Sequence, residues 1–126
     1  MSPVDTARSA VGARFRLHGR EVATGLDCVG LAALAYGADA VPSGYALRGG
    51  DPAAVAALIE ARGLVPVAEP HVGDLLLCAS GPGQLHLAID SGSGVIHADA
   101  MLRRVVERPG PAPWPVIGRW RMKGEA

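Results

Sequence analysis

The spacing of apolar residues changes once along this chain, near Leu64, and that change restricts the fold more than any other feature. Ahead of it lie runs with helical spacing, each opened by a recognisable cap. Ser2-Pro3-Val4-Asp5 reads as a helix start, with Ser2 as cap, Pro3 at the first helical position and an acid in the first turn. That helix fades near Gly12. Gly25-Leu26-Asp27 leads into a second, buried helix from Cys28 to Tyr36, capped by Asp27 and closed by Gly37. Asp51-Pro52 opens a third, with Val55, Leu58, Ile59 and Arg62 at helical spacing and Gly63 at its end. Beyond Leu64, short runs at 64–68, 74–79, 85–90, 94–98 and 102–107 are separated by turn clusters such as Ser80-Gly81-Pro82-Gly83, which is the pattern of strands. A Pro-rich connector at 109–113 precedes a last strand near Val116–Met122. Helices first and an antiparallel meander afterwards predict an α+β domain.

Composition adds bounds. A chain of 126 residues suits one domain, spanning 1–126, and its 49% apolar content can fill one core. Aromatic residues are only 4%, so Ala, Val and Leu must carry the packing. The zero formal net charge argues against a protein that holds nucleic acid by bulk positive charge. No apolar run approaches about eighteen residues, so no membrane span is expected. The first twenty residues place Asp5 where a secretory leader is basic and lack an apolar run. A chain without an export signal, cytoplasmic as synthesised, is therefore expected. In that reducing setting Cys28 and Cys78 are expected as free thiols, with a single disulfide as the alternative.

Cys28 sits where the second helix begins. Unpaired amides and the helix dipole favour negative charge there, and a neighbouring histidine lowers a thiol pKa further, so an ionised sulfur is expected. The competing reading is a small buried hydrophobe. His86 and His97 fall on consecutive strands. Alternation puts His86 and Ala88 on one face of the first strand and Leu87 and Ile89 on the other. An even loop at 91–94 brings the two histidines to one face, roughly 5–8 Å apart, whereas an odd loop separates them. Small Ala88 is expected to let the helix carrying Cys28 approach the sheet closely. A nucleophile, a base and a group orienting that base make a generalised triad, while two unrelated strand histidines are the bland alternative.

Gly25-Leu26-Asp27-Cys28-Val29-Gly30-Leu31 resembles the Asp-Cys-Ser-Gly-Leu signature of the NlpC-type cell-wall cysteine peptidases. Val72-Gly73-Asp74-Leu75 is similar to their Pro-Gly-Asp-Leu strand entry. Leu85-His86-Leu87-Ala88-Ile89 resembles their histidine segment, and Val95-Ile96-His97-Ala98 the segment of their third polar residue. Order and spacing agree over roughly residues 10–107. The resemblance implies a papain-like α+β fold, Cys28 as nucleophile, His86 as general base and acid, and His97 as the residue orienting His86. It also implies hydrolysis of amide bonds in peptidoglycan stem peptides, usually from D-glutamate to diaminopimelate, with no cofactor. The small size is similar to members carried by phage tails or gene-transfer particles, whose proteins are then the expected partners. Such members reach the wall with the particle or after lysis. Val29 departs from the usual Ser, and Phe15-Arg16-Leu17-His18-Gly19 matches the family's entry segment only loosely, so pocket residues are not carried over.

The alternatives are a related Cys-His amidase or acyltransferase and a catalytically silent tail module. His18 and His71 complete no zinc spacing with the other two histidines, so no metal is expected. Cys78 reads as an inert core thiol, Asp74 as a turn cap, and Trp114 and Trp120 as core or interface anchors. The basic residues Arg103, Arg104, Arg108, Arg119, Arg121 and Lys123 crowd the last quarter of the chain. They read either as attraction for acidic wall peptides or as a charged sheet edge.

Overall fold

In the first helix, α1 (Pro3–Ser9), Ser2 accepts a hydrogen bond from the Asp5 amide, and Pro3 occupies a position where no amide partner is needed. The computed structural model describes residues 2–37 and 50–124. After α1 come two short paired strands, β1 (Arg20–Glu21) and β2 (Gly25–Leu26). Two-residue strands carry no alternation, so the sequence pattern does not reveal them. Helix α2 (Cys28–Tyr36) follows, with the Asp27 carboxylate accepting from the Gly30 amide at 2.8 Å. Its residues from Cys28 through Ala32 are all buried, so this helix is apolar all round, as a core helix must be. Helix α3 (Pro52–Ala61) is capped by Asp51 and buries Val55 and Ile59, leaving Leu58 at the surface.

The remaining strands are β3 (Leu64–Pro66), β4 (Leu75–Gly81), β5 (Gln84–Asp90), β6 (Gly94–Asp99), β7 (Arg104–Pro109) and β8 (Val116–Met122). They form one antiparallel sheet in the order β3-β8-β4-β5-β6-β7. The expected α+β architecture is present. The expected meander needs one correction: β4 to β7 run in sequence, but β8 returns to lie between β3 and β4.

Buried charge explains that insertion. Asp74, at the head of β4, has no solvent exposure. Its carboxylate accepts from Arg119 Nη1 at 2.9 Å, from Arg121 Nε at 2.7 Å and Nη2 at 3.1 Å, and from the His71 amide at 2.9 Å. Arg119 also donates to Asp90 at 2.8 Å. A carboxylate removed from water must be paired, and β8 supplies both guanidinium groups. Burial pushes the Asp74 pKa up, but the hydrogen bonds from Arg121, Arg119 and the His71 amide outweigh it and hold the acid below its ordinary range. Arg119 and Arg121 are thus committed within an interior strand. They are neither an edge guard nor free bait for acidic peptides, and Asp74 is more than a turn cap.

The sheet has two covered faces. Leu75, Leu77, Leu87, Ile89, Ile96, Ala98 and Trp120 pack in the main core with Leu31 and Ala32 of α2. On the outer face Leu76, Cys78, Ala88 and Val95 form a smaller cluster against Ala112 and Trp114. The Pro-rich connector is therefore a cover for the outer face. A Cβ on Gly30 would collide with the Gly19 carbonyl oxygen, so the first turn of α2 and the 14–19 loop meet backbone to backbone. Among the described residues no helix is long and apolar enough to cross a membrane.

Asp74→Ala leaves two guanidinium groups and an amide without their acceptor. Urea unfolding should show a loss of about 3–5 kcal/mol relative to the parent chain. A loss within about 0.5 kcal/mol, the scale of an ordinary surface substitution, contradicts the anchoring role.

Candidate active site

Cys28 is the first residue of α2 and is 8% exposed. It lines a cavity of about 810 Å³ together with His86 of β5 and His97 of β6. Strands β5 and β6 pair at Ile89↔Ile96 and Asp90↔Val95, a register that sets His97 diagonal to His86 on the outer face. The even-loop alternative is the one realised. His86 Nε2 and His97 Nδ1 are 3.0 Å apart, and the rings stand edge to face with centroids separated by 5.1 Å.

The approach of Cys28 to these rings differs from the expected one. Ala88 points to the outer face beside His86, in the cluster with Cys78 and Leu76, whereas α2 packs against the face of Leu87 and Ile89. Small size at Ala88 therefore does not admit the helix. The opening comes from the sheet itself. The β5–β6 ladder is confined to its two pairs near the loop, so toward His86 and Ala98 the strands part. Helix α2 packs against both strands, and the backbone of Leu87, Val29 and Cys28 itself acts on the Cys28 sulfur. Leu87 adjoins His86, so the sulfur sits beside the histidine strand although the rings belong to the other face.

Electrostatics correct a second expectation. Burial pushes the Cys28 thiol up to about 12. The Leu87 amide opposes that shift, the Asp27 charge adds to it, and the Val29 and Cys28 amides oppose it. Burial likewise brings His86 down to about 4, assisted by His97 and resisted by Asp99. His97 is also lowered, by burial first, with Asp99 opposing and Arg108 assisting. The resting pair is a neutral thiol and a neutral imidazole, because the cost of removing charge from water exceeds what the helix start and three amides return.

Trp114 packs against both rings. Its ring stands edge-on to both imidazoles, with centroids 4.8 Å from His86 and 4.9 Å from His97. It follows the Pro-rich connector at 109–113, which disguised this role, and only Pro115 separates it from the expected final strand. Trp120, by contrast, is a core residue whose indole donates to Glu60 at 3.0 Å. Phe15, Leu17, His18 and Arg20 also line the cavity, a set that the loose match of the entry segment could not identify. Asp27 holds this loop in place, accepting from the His18 amide at 2.7 Å and Arg20 Nη1 at 2.9 Å while capping α2. His71 lies away from the cavity, at the entry to β4. Cys78 is free and wholly buried on the outer face, where burial pushes its thiol up to about 11.

Helices packed on an antiparallel sheet, with a thiol at a helix start beside a strand-borne imidazole pair, define a papain-like domain of cysteine-peptidase type. The structural comparisons narrow that class to the NlpC/p60 fold. The crystal structure of the NlpC/p60 domain of the peptidoglycan hydrolase SagA matches with a TM-score of 0.62 and 26% identity, over 96% of this chain and 97% of that one. The peptidoglycan hydrolase RipB from Mycobacterium tuberculosis matches in fold with a TM-score of 0.63 and 24% identity. That match covers 95% of this chain and 62% of RipB, so the chain spans less than two thirds of that protein. No family model matches the chain, and no curated protein matches it.

The desolvated histidines make stability depend on pH. In the unfolded chain a histidine binds its proton near about 6.5, but native His86 does so only at about 4. Between those values the unfolded state holds more protons, so stability is full above about 6.5 and falls as the pH drops toward 4. Trp114→Ala hydrates both rings, and NMR titration should then show the His86 pKa moving up toward 6.5. An unchanged titration in that variant counts against desolvation as the cause.

Proposed function

We propose that this chain is a cysteine peptidase acting on peptidoglycan, with Cys28 as nucleophile, His86 as general base and acid, and His97 orienting His86. The observation that carries the reading is a helix-start thiol and a hydrogen-bonded imidazole pair around one cavity, within a fold shared with two peptidoglycan hydrolases. The substrate of this reading is the stem peptide, and the bond is the amide from D-glutamate to diaminopimelate.

The geometry supports a definite order of proton movements. His86 Nε2 is engaged with His97, which leaves Nδ1 as the nitrogen available to the thiol. Because thiol and imidazole both rest neutral, the proton passes from sulfur to His86 Nδ1 as sulfur attacks the carbonyl carbon. The developing oxyanion takes hydrogen bonds from backbone amides at the α2 start, where Cys28 and Val29 lie. In other acyl-transfer enzymes loss of one such donor costs about 2.7–4 kcal/mol. The carbon–nitrogen bond then breaks, the leaving amine takes its proton from His86, and a thioester remains. Water adds to the thioester with His86 accepting its proton. Collapse releases the carboxylate product, and the proton on His86 returns to the sulfur.

One observation favours a second reading. A thiol pushed up to about 12 is a poor nucleophile unless substrate binding assists it, as expected of a silent phage-tail module. Purified peptidoglycan incubated with the parent and with Cys28→Ala, followed by mass analysis, separates the two. New stem-peptide ends from the parent alone support the peptidase, and the fragment masses name the bond. No fragments from either protein favour the silent module, and release of an acyl group without chain cleavage favours an amidase or acyltransferase. For the active protein, kcat/KM should rise with an apparent pKa near about 4 as His86 loses its proton, then stay flat through neutral pH. A basic limb near the ordinary thiol value of about 8.5 contradicts a thiol held neutral by burial.

The route to the wall that we propose is carriage by a phage tail or gene-transfer particle, or release on lysis. Mass spectrometry of purified particles should find the chain. Its absence from particles and lysates alike, with recovery from the intact wall, overturns that route.

A further inference from the structure

We propose that Asp99 is a fourth member of this site: a positioning residue whose carboxylate fixes the tautomer of His97, and through it the nitrogen that His86 presents to Cys28. The inference deepens the peptidase reading and rests on it for its catalytic consequence. Its structural part stands alone.

The hydrogen bond between His86 Nε2 and His97 Nδ1 holds one proton, and two assignments are possible for neutral rings. In the first, His97 Nδ1 carries it. His86 then has its own proton on Nδ1, where it cannot act as a base toward the thiol, and His97 Nε2 turns a lone pair outward. In the second, His86 Nε2 carries it. His86 Nδ1 is then a free lone pair, and His97 must carry its proton on Nε2.

Asp99 decides between them. Its Oδ2 lies 4.0 Å from His97 Nε2. A carboxylate at that distance attracts an N–H and repels a lone pair, so it selects the second assignment. Two residues apart on one strand, His97 and Asp99 share a face, and Asp99 lines the same cavity. The carboxylate is held for this purpose. Its Oδ1 accepts from the Met101 amide at 2.9 Å and the Leu102 amide at 3.0 Å, in the turn where Arg103 adopts a left-handed φ of 61°. With Oδ1 committed to the turn, Oδ2 remains for His97. The charged and titratable groups acting on His97 are Asp99 on its own strand, His86 on β5 and Arg108 on β7. Arg108 opposes Asp99 in its effect on the ring, and the Asp99 charge is felt at both imidazoles.

A turn cap alone would give Asp99 no influence on the rings, and one substitution distinguishes the two roles. Asp99→Asn keeps an oxygen for the Met101 and Leu102 amides but removes the charge. Nitrogen-15 NMR of the parent should find both rings protonated at Nε2. In Asp99→Asn, and equally in Asp99→Ser, His97 should shift toward the Nδ1-protonated form. With stem peptide as substrate, kcat should fall about tenfold or more with KM little changed and the melting temperature nearly constant. Retention of the Nε2 proton on His97 in both variants overturns the proposal, whatever the activity. Nε2-protonated rings in a parent that fails to cleave peptidoglycan leave the relay intact and sink the peptidase reading instead.

Discussion

The 3.0 Å hydrogen bond between His86 Nε2 and His97 Nδ1 is the joint on which the site turns. It fixes which nitrogen of His86 is available, and it demands a particular sheet. The β5–β6 register must put both rings on the outer face, and the ladder must then stop so that the strands part. Against these strands packs α2, capped by Asp27, which also secures the loop lining one side of the cavity. Above the rings, Trp114 completes the cover. Far from the rings, Asp74 holds β8 beside β4 and so sets the frame against which the connector folds back.

The second governing fact is desolvation. Cys28 is buried and His86 half-buried, and for both the neutral form is favoured. The site therefore differs from one with a preformed thiolate–imidazolium pair. In the proposed reaction the proton moves during attack, and the charge that forms on His86 is shared toward His97.

Much of the fold was legible because its signals are local. Ser2-Pro3, Asp27 before Cys28 and Asp51-Pro52 each cap the helix they were expected to cap, and Val116–Met122 is a strand over those residues. The position of β8 was not legible, because it depends on Asp74 meeting Arg119 and Arg121 across more than forty residues. The two histidines were legible as a pair because strand alternation and an even loop are local rules. Which face met the helix was not, since hydrophobic Leu87 and Ile89 claim the core and leave His86 with Ala88 outside. Trp114 was hidden by its connector and Asp99 by its ordinary appearance in a turn. The direction of the Cys28 shift was missed because a helix start and a nearby histidine are visible in sequence, whereas burial of the sulfur is not.

Whether the site rests neutral is decided by the ionisation state of Cys28. Ultraviolet difference absorbance between the parent and Cys28→Ser, followed as the pH is raised, reports the thiolate of that one sulfur. No Cys28 thiolate is expected at neutral pH, and it should appear only toward about 12. Thiolate absorbance already present at neutral pH, and abolished by His86→Ala, would contradict the neutral resting site and restore a preformed ion pair.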